Sequence, residues 1–144
     1  MGKHLFVIFL WLYTPLALFA QQDAFRAYLY NNNYDVYLRI NLYEQDITIP
    51  GQELYGSLPG YLGKTHNSFC WVITSCEVKS EQEATLQMIN DFGSEDLVAT
   101  LTRQNDSTYI LRQGAGNTIK VPHQGKWRKL PKTLEFRRKI KGKR

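Results

Sequence analysis

The chain has 144 residues, 43% of them hydrophobic, 22% charged and 13% aromatic, with two cysteines and a formal net charge of +5. These values exclude a disordered chain and a disulfide-packed miniprotein, and they point to one domain. The charge is uneven: residues 126–144 hold ten Lys/Arg against one acid, Glu135, whereas residues 21–125 hold seven Lys/Arg against twelve acids, so an acidic body carries a basic end.

At the N-terminus, Lys3 and His4 precede an uncharged stretch, Leu5 to Ala20, that contains Pro15 and closes on a small residue. A positive start, an apolar run and a small terminal residue are what a secretory signal peptide requires. The run is about 24 Å long as a helix, short of the ~30 Å hydrocarbon core. The expected organisation is a signal peptide over 1–20, a single all-β domain over 21–138 and a basic, unstructured tail over 139–144. An uncleaved anchor is the alternative. Cleavage near Ala20 makes the mature chain secreted or periplasmic, without a transmembrane span.

Beyond the leader the dominant period is two. Val36, Leu38, Ile40 and Leu42 share one face of a segment whose other face carries Asp35, Tyr37, Arg39 and Asn41, the pattern of a half-buried strand. With 24–31 ahead of it, the predicted strands are 24–31 and 34–42. Residues 43–68 break the alternation at Pro50-Gly51 and Pro59-Gly60 yet keep Leu54, Tyr55, Leu58, Tyr61 and Leu62. A loop this long is either packed by its own side chains or functional. The expectation is an apolar crossover plugging one end of the fold, with a ligand-facing lid as the alternative. In the latter reading Tyr55, Leu58, Tyr61 and Leu62 are the candidate ligand-binding residues.

Next comes a strand over 69–78 containing both cysteines. Trp71-Val72-Ile73-Thr74-Ser75 between them offers no turn residue, and six residues of strand hold two Cα atoms about 20 Å apart, far beyond the ~7 Å limit of a disulfide. Even spacing places the Cys70 and Cys76 thiols on one face, opposite Phe69, Trp71 and Ile73. Strands over 83–90, 96–103, 107–113, 117–121, 126–130 and 133–138 follow, separated by turn signals such as Asp91-Phe92-Gly93-Ser94 and Gly114-Ala115-Gly116-Asn117. Short consecutive strands without helical patterns between them favour antiparallel pairing. The expected fold is all-β: a meander of about eight or nine strands forming a small barrel or strongly curled sheet, with a two-sheet sandwich as the alternative.

Gly125-Lys126-Trp127 is similar to the GxW motif of lipocalins. That motif opens the first barrel strand of the family, whereas here it precedes the last two strands. Only an up-and-down strand pattern is shared, and no ligand-binding residue carries over. Trp127 is expected instead as a core residue at a closed end, like Phe136.

No GxSxG elbow, P-loop, dinucleotide fingerprint, EF-hand loop or zinc-ligand spacing is present. The sequence therefore assigns no catalytic residue, no metal site and no cofactor. Lys126, Arg128, Lys129, Arg137 and Arg138 are candidate polyanion-binding residues, suited to lipid headgroups or acidic polysaccharide. Nucleic acid is disfavoured, because too few aromatics interleave with the charges to stack bases. The leading functional expectation is a non-enzymatic exported module binding a small ligand or a protein partner. A small hydrolase using turn carboxylates, among Asp46, Glu53, Asp91 and Asp96, is one alternative, and an inhibitory or structural interaction protein is another. In the leading reading, residues beyond Phe136 and the side chains of Leu58 and Tyr61 are dispensable for folding.

Overall fold

The computed structural model describes residues 23–139. The expected signal peptide and all but the first residue of the expected tail lie outside the described residues. Ten strands run in chain order: β1 (Arg26–Asn31), β2 (Val36–Asn41), β3 (Gly60–Lys64), β4 (Asn67–Val78), β5 (Glu83–Asn90), β6 (Asp96–Arg103), β7 (Thr108–Gly116), β8 (Lys120–His123), β9 (Lys126–Lys129) and β10 (Thr133–Arg138). Eight of them close an antiparallel barrel in the order β1-β10-β7-β6-β5-β4-β3-β2, and β8 and β9 form a separate hairpin. The expected all-β meander is thus a closed barrel, which leaves the sheet no free edge.

Alternation decides what is inside. Leu29, Leu38, Ile40, Leu62, Trp71, Ile73, Leu86, Met88, Leu101, Tyr109 and Phe136 fill the interior as one cluster. An eight-stranded barrel is just wide enough for its own side chains to occupy it, and here they do. Charged side chains such as Arg39, Arg112, Glu135 and Arg137 project outward, the reverse of the apolar outer band of a membrane-spanning barrel. No helix among the described residues is long and apolar enough to cross a membrane.

β3 was concealed in the sequence by its glycines, which read as loop punctuation. Both mark places where chains approach too closely for a side chain. A Cβ on Gly60 would collide with the Arg39 carbonyl and lie 2.9 Å from Ile40 Cα; one on Gly63 would enter the Tyr37 ring. The remaining 43–59 segment is a strap, and it does not plug an end of the barrel as expected. Its Ile47 and Ile49 lie on the outer wall against Tyr61, Cys70 and Val72, and an Ile47–Leu58 bridge folds it back on itself. A plug would need apolar side chains aimed down the axis, and the interior is already full.

β4 also departs from simple alternation. The β4–β5 register shifts between Ile73 and Ser75, leaving Thr74 without an opposite residue, and the Thr74 hydroxyl bonds the Gln87 carbonyl at 3.3 Å. One extra residue flips every later side chain to the other face. Cys70 therefore faces outward beneath the strap, whereas Cys76, opposite Leu86, packs toward the interior. The two thiols do not share a face as expected; both are free.

The antiparallel order places the β1–β2, β3–β4 and β5–β6 turns at one rim, called upper here. The start of β1, the end of β10, both ends of the β2–β3 connection and the β4–β5 and β6–β7 turns lie at the lower rim. Asp23–Phe25 closes the lower rim: Phe25 meets the Tyr109 ring edge-on at 6.2 Å, Tyr109 Oη donates to the Ala24 carbonyl, and Arg138 Nη2 donates to the Asp23 carbonyl at 3.0 Å and to Tyr109 Oη at 3.1 Å. The β8–β9 hairpin closes the upper rim. Its Val121 is buried in the core together with the flanking Ile119 and Leu130, and the Trp71 indole N–H donates to the Lys120 carbonyl at 3.1 Å.

Candidate functional site at the upper rim

One buried polar side chain braces the base of the hairpin. Gln113, buried near the end of β7, donates through Nε2 to the Pro131 carbonyl at 2.8 Å and accepts from the Ile119 N–H at 2.7 Å. It thereby joins both ends of the hairpin segment and satisfies backbone groups that no sheet partner reaches. On the far side, Arg128 lies 4.3 Å from the centroid of the Tyr34 ring in the β1–β2 turn.

Between this hairpin and the β5–β6 loop is a cleft of about 180 Å³. Phe69 and Trp71 of β4 form its floor, and Phe92 and Trp127 rise on either side. Phe69 stands 6.1 Å from Phe92 and 5.0 Å from Trp127, centroid to centroid, at 48° and 70° respectively. The polar border comprises Ser94, Glu95 and Lys120, with Lys120 Nζ 3.3 Å from Glu95 Oε2. Asn90 organises the β5–β6 loop: its Oδ1 accepts from the Ser94 and Glu95 N–H groups at 2.8 and 3.2 Å, and its Nδ2 donates to Ser94 Oγ at 3.1 Å.

Phe92 and Trp127 are 73% and 54% exposed. The expectation that Trp127 is core is therefore wrong: in β9 the apolar run is too short to bury, and the core positions of this segment fall to Ile119, Val121 and Leu130. The strap adds to the same rim, because its Gln52 amide binds the Asp91 carboxylate beside Phe92. At the strap tip Leu54 is fully exposed and Tyr55 is exposed. Phe92 and Trp127, two of the five large apolar side chains that stand exposed among the described residues, thus stand together at the cleft, a concentration that marks interaction surfaces.

The four ligand-binding candidates are divided by the structure. Tyr55 belongs to the strap tip, Leu58 and Tyr61 pack in the outer cluster around Cys70 and Val72, and Leu62 is in the barrel interior. The five polyanion candidates are divided as well. Lys126, Arg128 and Lys129 are on the hairpin at the upper rim, whereas Arg137 and Arg138 end β10 at the lower rim. Arg137 pairs with Glu135 at 3.2 Å, and Arg138 turns inward onto the N-terminal segment.

Chemistry requiring two facing acids finds one carboxylate in the cleft wall, Glu95. Asp96 projects outward from β6, Asp91 is turned to Gln52, and Asp46 lies beside Asn41 at the base of the strap. Among the described residues no group of three His, Cys, Asp or Glu is arranged to hold a metal ion. Compared with known proteins, the chain matches no protein-family model, no curated sequence and no solved structure. The cleft residues were individually visible in the sequence. Their convergence was not, since it depends on a hairpin inserted between β7 and β10 that folds back over β4.

Proposed function

We propose that this chain is an exported, non-enzymatic binding module that captures a compact ligand group in the upper-rim cleft. The observation that carries the reading is the pair of exposed aromatics, Phe92 and Trp127, flanking a cleft of about 180 Å³ on a barrel whose interior is filled. Leaving the two rings 73% and 54% exposed forgoes part of the roughly 1.5–3 kcal/mol that full burial of a large apolar side chain contributes, and a ligand that covers them recovers it. The floor is rigid, because Phe69 and Trp71 belong to the longest strand and Trp71 is hydrogen-bonded to the hairpin. A preformed apolar floor with a few fixed polar groups at its border is the usual form of a binding site.

Mass spectrometry of small molecules that co-purify with the protein from its native compartment tests this. The wild type is expected to carry a compound that the Phe92→Ala/Trp127→Ala double variant lacks, at equal thermal stability. The same compounds at the same occupancy in both proteins would contradict the proposal.

A further inference from the structure

Resting on the reading of the cleft as a binding site, we infer that its ligand is an acidic saccharide, one pyranose ring of which lies between Phe92 and Trp127 with its carboxylate toward Lys120 and Lys129. Size comes first. A cavity of about 150 Å³ accommodates a benzene ring, so a cleft of about 180 Å³ takes one six-membered ring and little more.

Shape and polarity narrow the choice. A pyranose presents C–H groups on its faces and hydroxyls around its edge. The cleft offers aromatic surface on two flanks and the floor, and polar groups only along one border. Of those groups, the Asn90 amide is spent on holding its own loop. The Glu95 carboxylate can accept from hydroxyls, and the Lys120 ammonium and Ser94 hydroxyl can donate.

Charge then selects the acid. Lys120 and Lys129 are direct cross-strand partners in the β8–β9 hairpin, so both side chains leave the same face; Lys120 lines the cleft and Lys129 stands beside it. Like charges directly opposite one another destabilise a strand pair. Glu95 offsets Lys120, but Lys129 has no acid within ion-pair distance among the described residues. An anionic group held between Lys120 and Lys129 removes the repulsion. The same two lysines reject a quaternary ammonium, which the aromatic walls alone would favour. A purely apolar side chain would cover the rings but desolvate the Glu95–Lys120 pair without returning a hydrogen bond.

Titration calorimetry with a galacturonic acid trisaccharide, the matching neutral galactose trisaccharide, inorganic sulfate and phosphatidylglycerol vesicles separates the alternatives. The acidic trisaccharide is expected to bind about tenfold more tightly than the neutral one, the effect of one charge-assisted hydrogen bond. Lys129→Gln should erase that preference, and Trp127→Ala should abolish binding of both while the melting temperature is unchanged. Equal binding of acidic and neutral sugars, lost together in Trp127→Ala, overturns the acidic class and leaves the cleft as the site. Acidic-sugar binding that Phe92→Ala and Trp127→Ala leave intact overturns both, and binding that sulfate abolishes at equal concentration overturns the saccharide in favour of a small inorganic anion. Binding to the vesicles alone overturns the saccharide in favour of a lipid surface.

Discussion

Cys70 is enclosed by Ile47, Ile49, Tyr61 and Val72, and burial, reinforced by the nearby Asp91 carboxylate, pushes its thiol up to about 11. Because the folded state keeps the proton more tightly than the unfolded chain does, the neutral thiol's contribution to stability is complete below pH 9. It is lost as the pH rises toward 11. Burial also raises the phenols of Tyr28, Tyr37 and Tyr109, so they add to the same alkaline loss. Denaturant midpoints measured from pH 7 to 11 should therefore fall at the alkaline end, and Cys70→Ser should lessen the fall. A flat profile would count against this enclosure. Gly63 is packed just as closely. A methyl group there displaces the Tyr37 ring, which stacks on Tyr28 at 5.4 Å, so Gly63→Ala should cost about 1–3 kcal/mol of unfolding free energy, the range for overpacking. Neither residue's role could be read from the sequence. Glycine signals a turn and a close approach equally well, and the single bulge at Thr74 reverses the parity that placed both thiols together.

The β8–β9 hairpin is a short, charged pair of strands that could not stand alone. It holds its place through Ile119, Val121 and Leu130 below and Gln113 at its base. Gln113→Leu removes that brace and leaves the Ile119 N–H unpaired, a loss of about 1–3 kcal/mol. Amide exchange should accelerate over 117–131 while the barrel strands remain protected, and ligand capture should weaken because Lys120 and Trp127 move with the hairpin. Uniform protection in the variant would show that apolar packing alone fixes the hairpin. The strands were legible wherever two-residue alternation was clean, as in β2, β5 and β6. The strap was legible as an apolar, Pro-Gly-punctuated loop, but its docking wall was not. Tyr61, Cys70 and Val72 become one outer patch only when β3 pairs with β4.

Across the whole molecule, closure of the barrel depends on the last strand. β10 pairs with β7 along its length but with β1 only near its end, through Leu29–Arg138 and Tyr30–Arg137, and the next amide, that of Lys139, donates to the Tyr28 carbonyl at 2.8 Å. Arg138 also secures the N-terminal segment beneath the core. Truncation after Phe136 should therefore open the β1–β10 seam and lower the melting temperature by several degrees, contrary to the expectation that these residues are dispensable. Tyr61, packed under the strap, is likewise a folding residue. An unchanged melting temperature in the truncated protein would show that the seam contributes little.

The basic C-terminal stretch looks continuous in sequence, yet β10 carries it from one rim to the other, about 20 Å of extended chain. Lys126, Arg128 and Lys129 stand on the hairpin at the upper rim, and Arg138 secures the N-terminal segment at the lower rim. Composition could locate the charge along the chain but not divide it between two ends, since that division follows from the barrel's topology.

The upper-rim cleft is the place where the proposed ligand is held. Amide and indole chemical-shift mapping of the isotopically labelled protein, titrated with the acidic trisaccharide, tests this directly. The expected shifts cluster at the Trp127 and Trp71 indole N–H groups and the amides of 90–95 and 120–129. Shifts centred on the Tyr28–Tyr37 outer wall or on Arg137 and Arg138 at the lower rim, with the Trp127 indole unmoved, would contradict it.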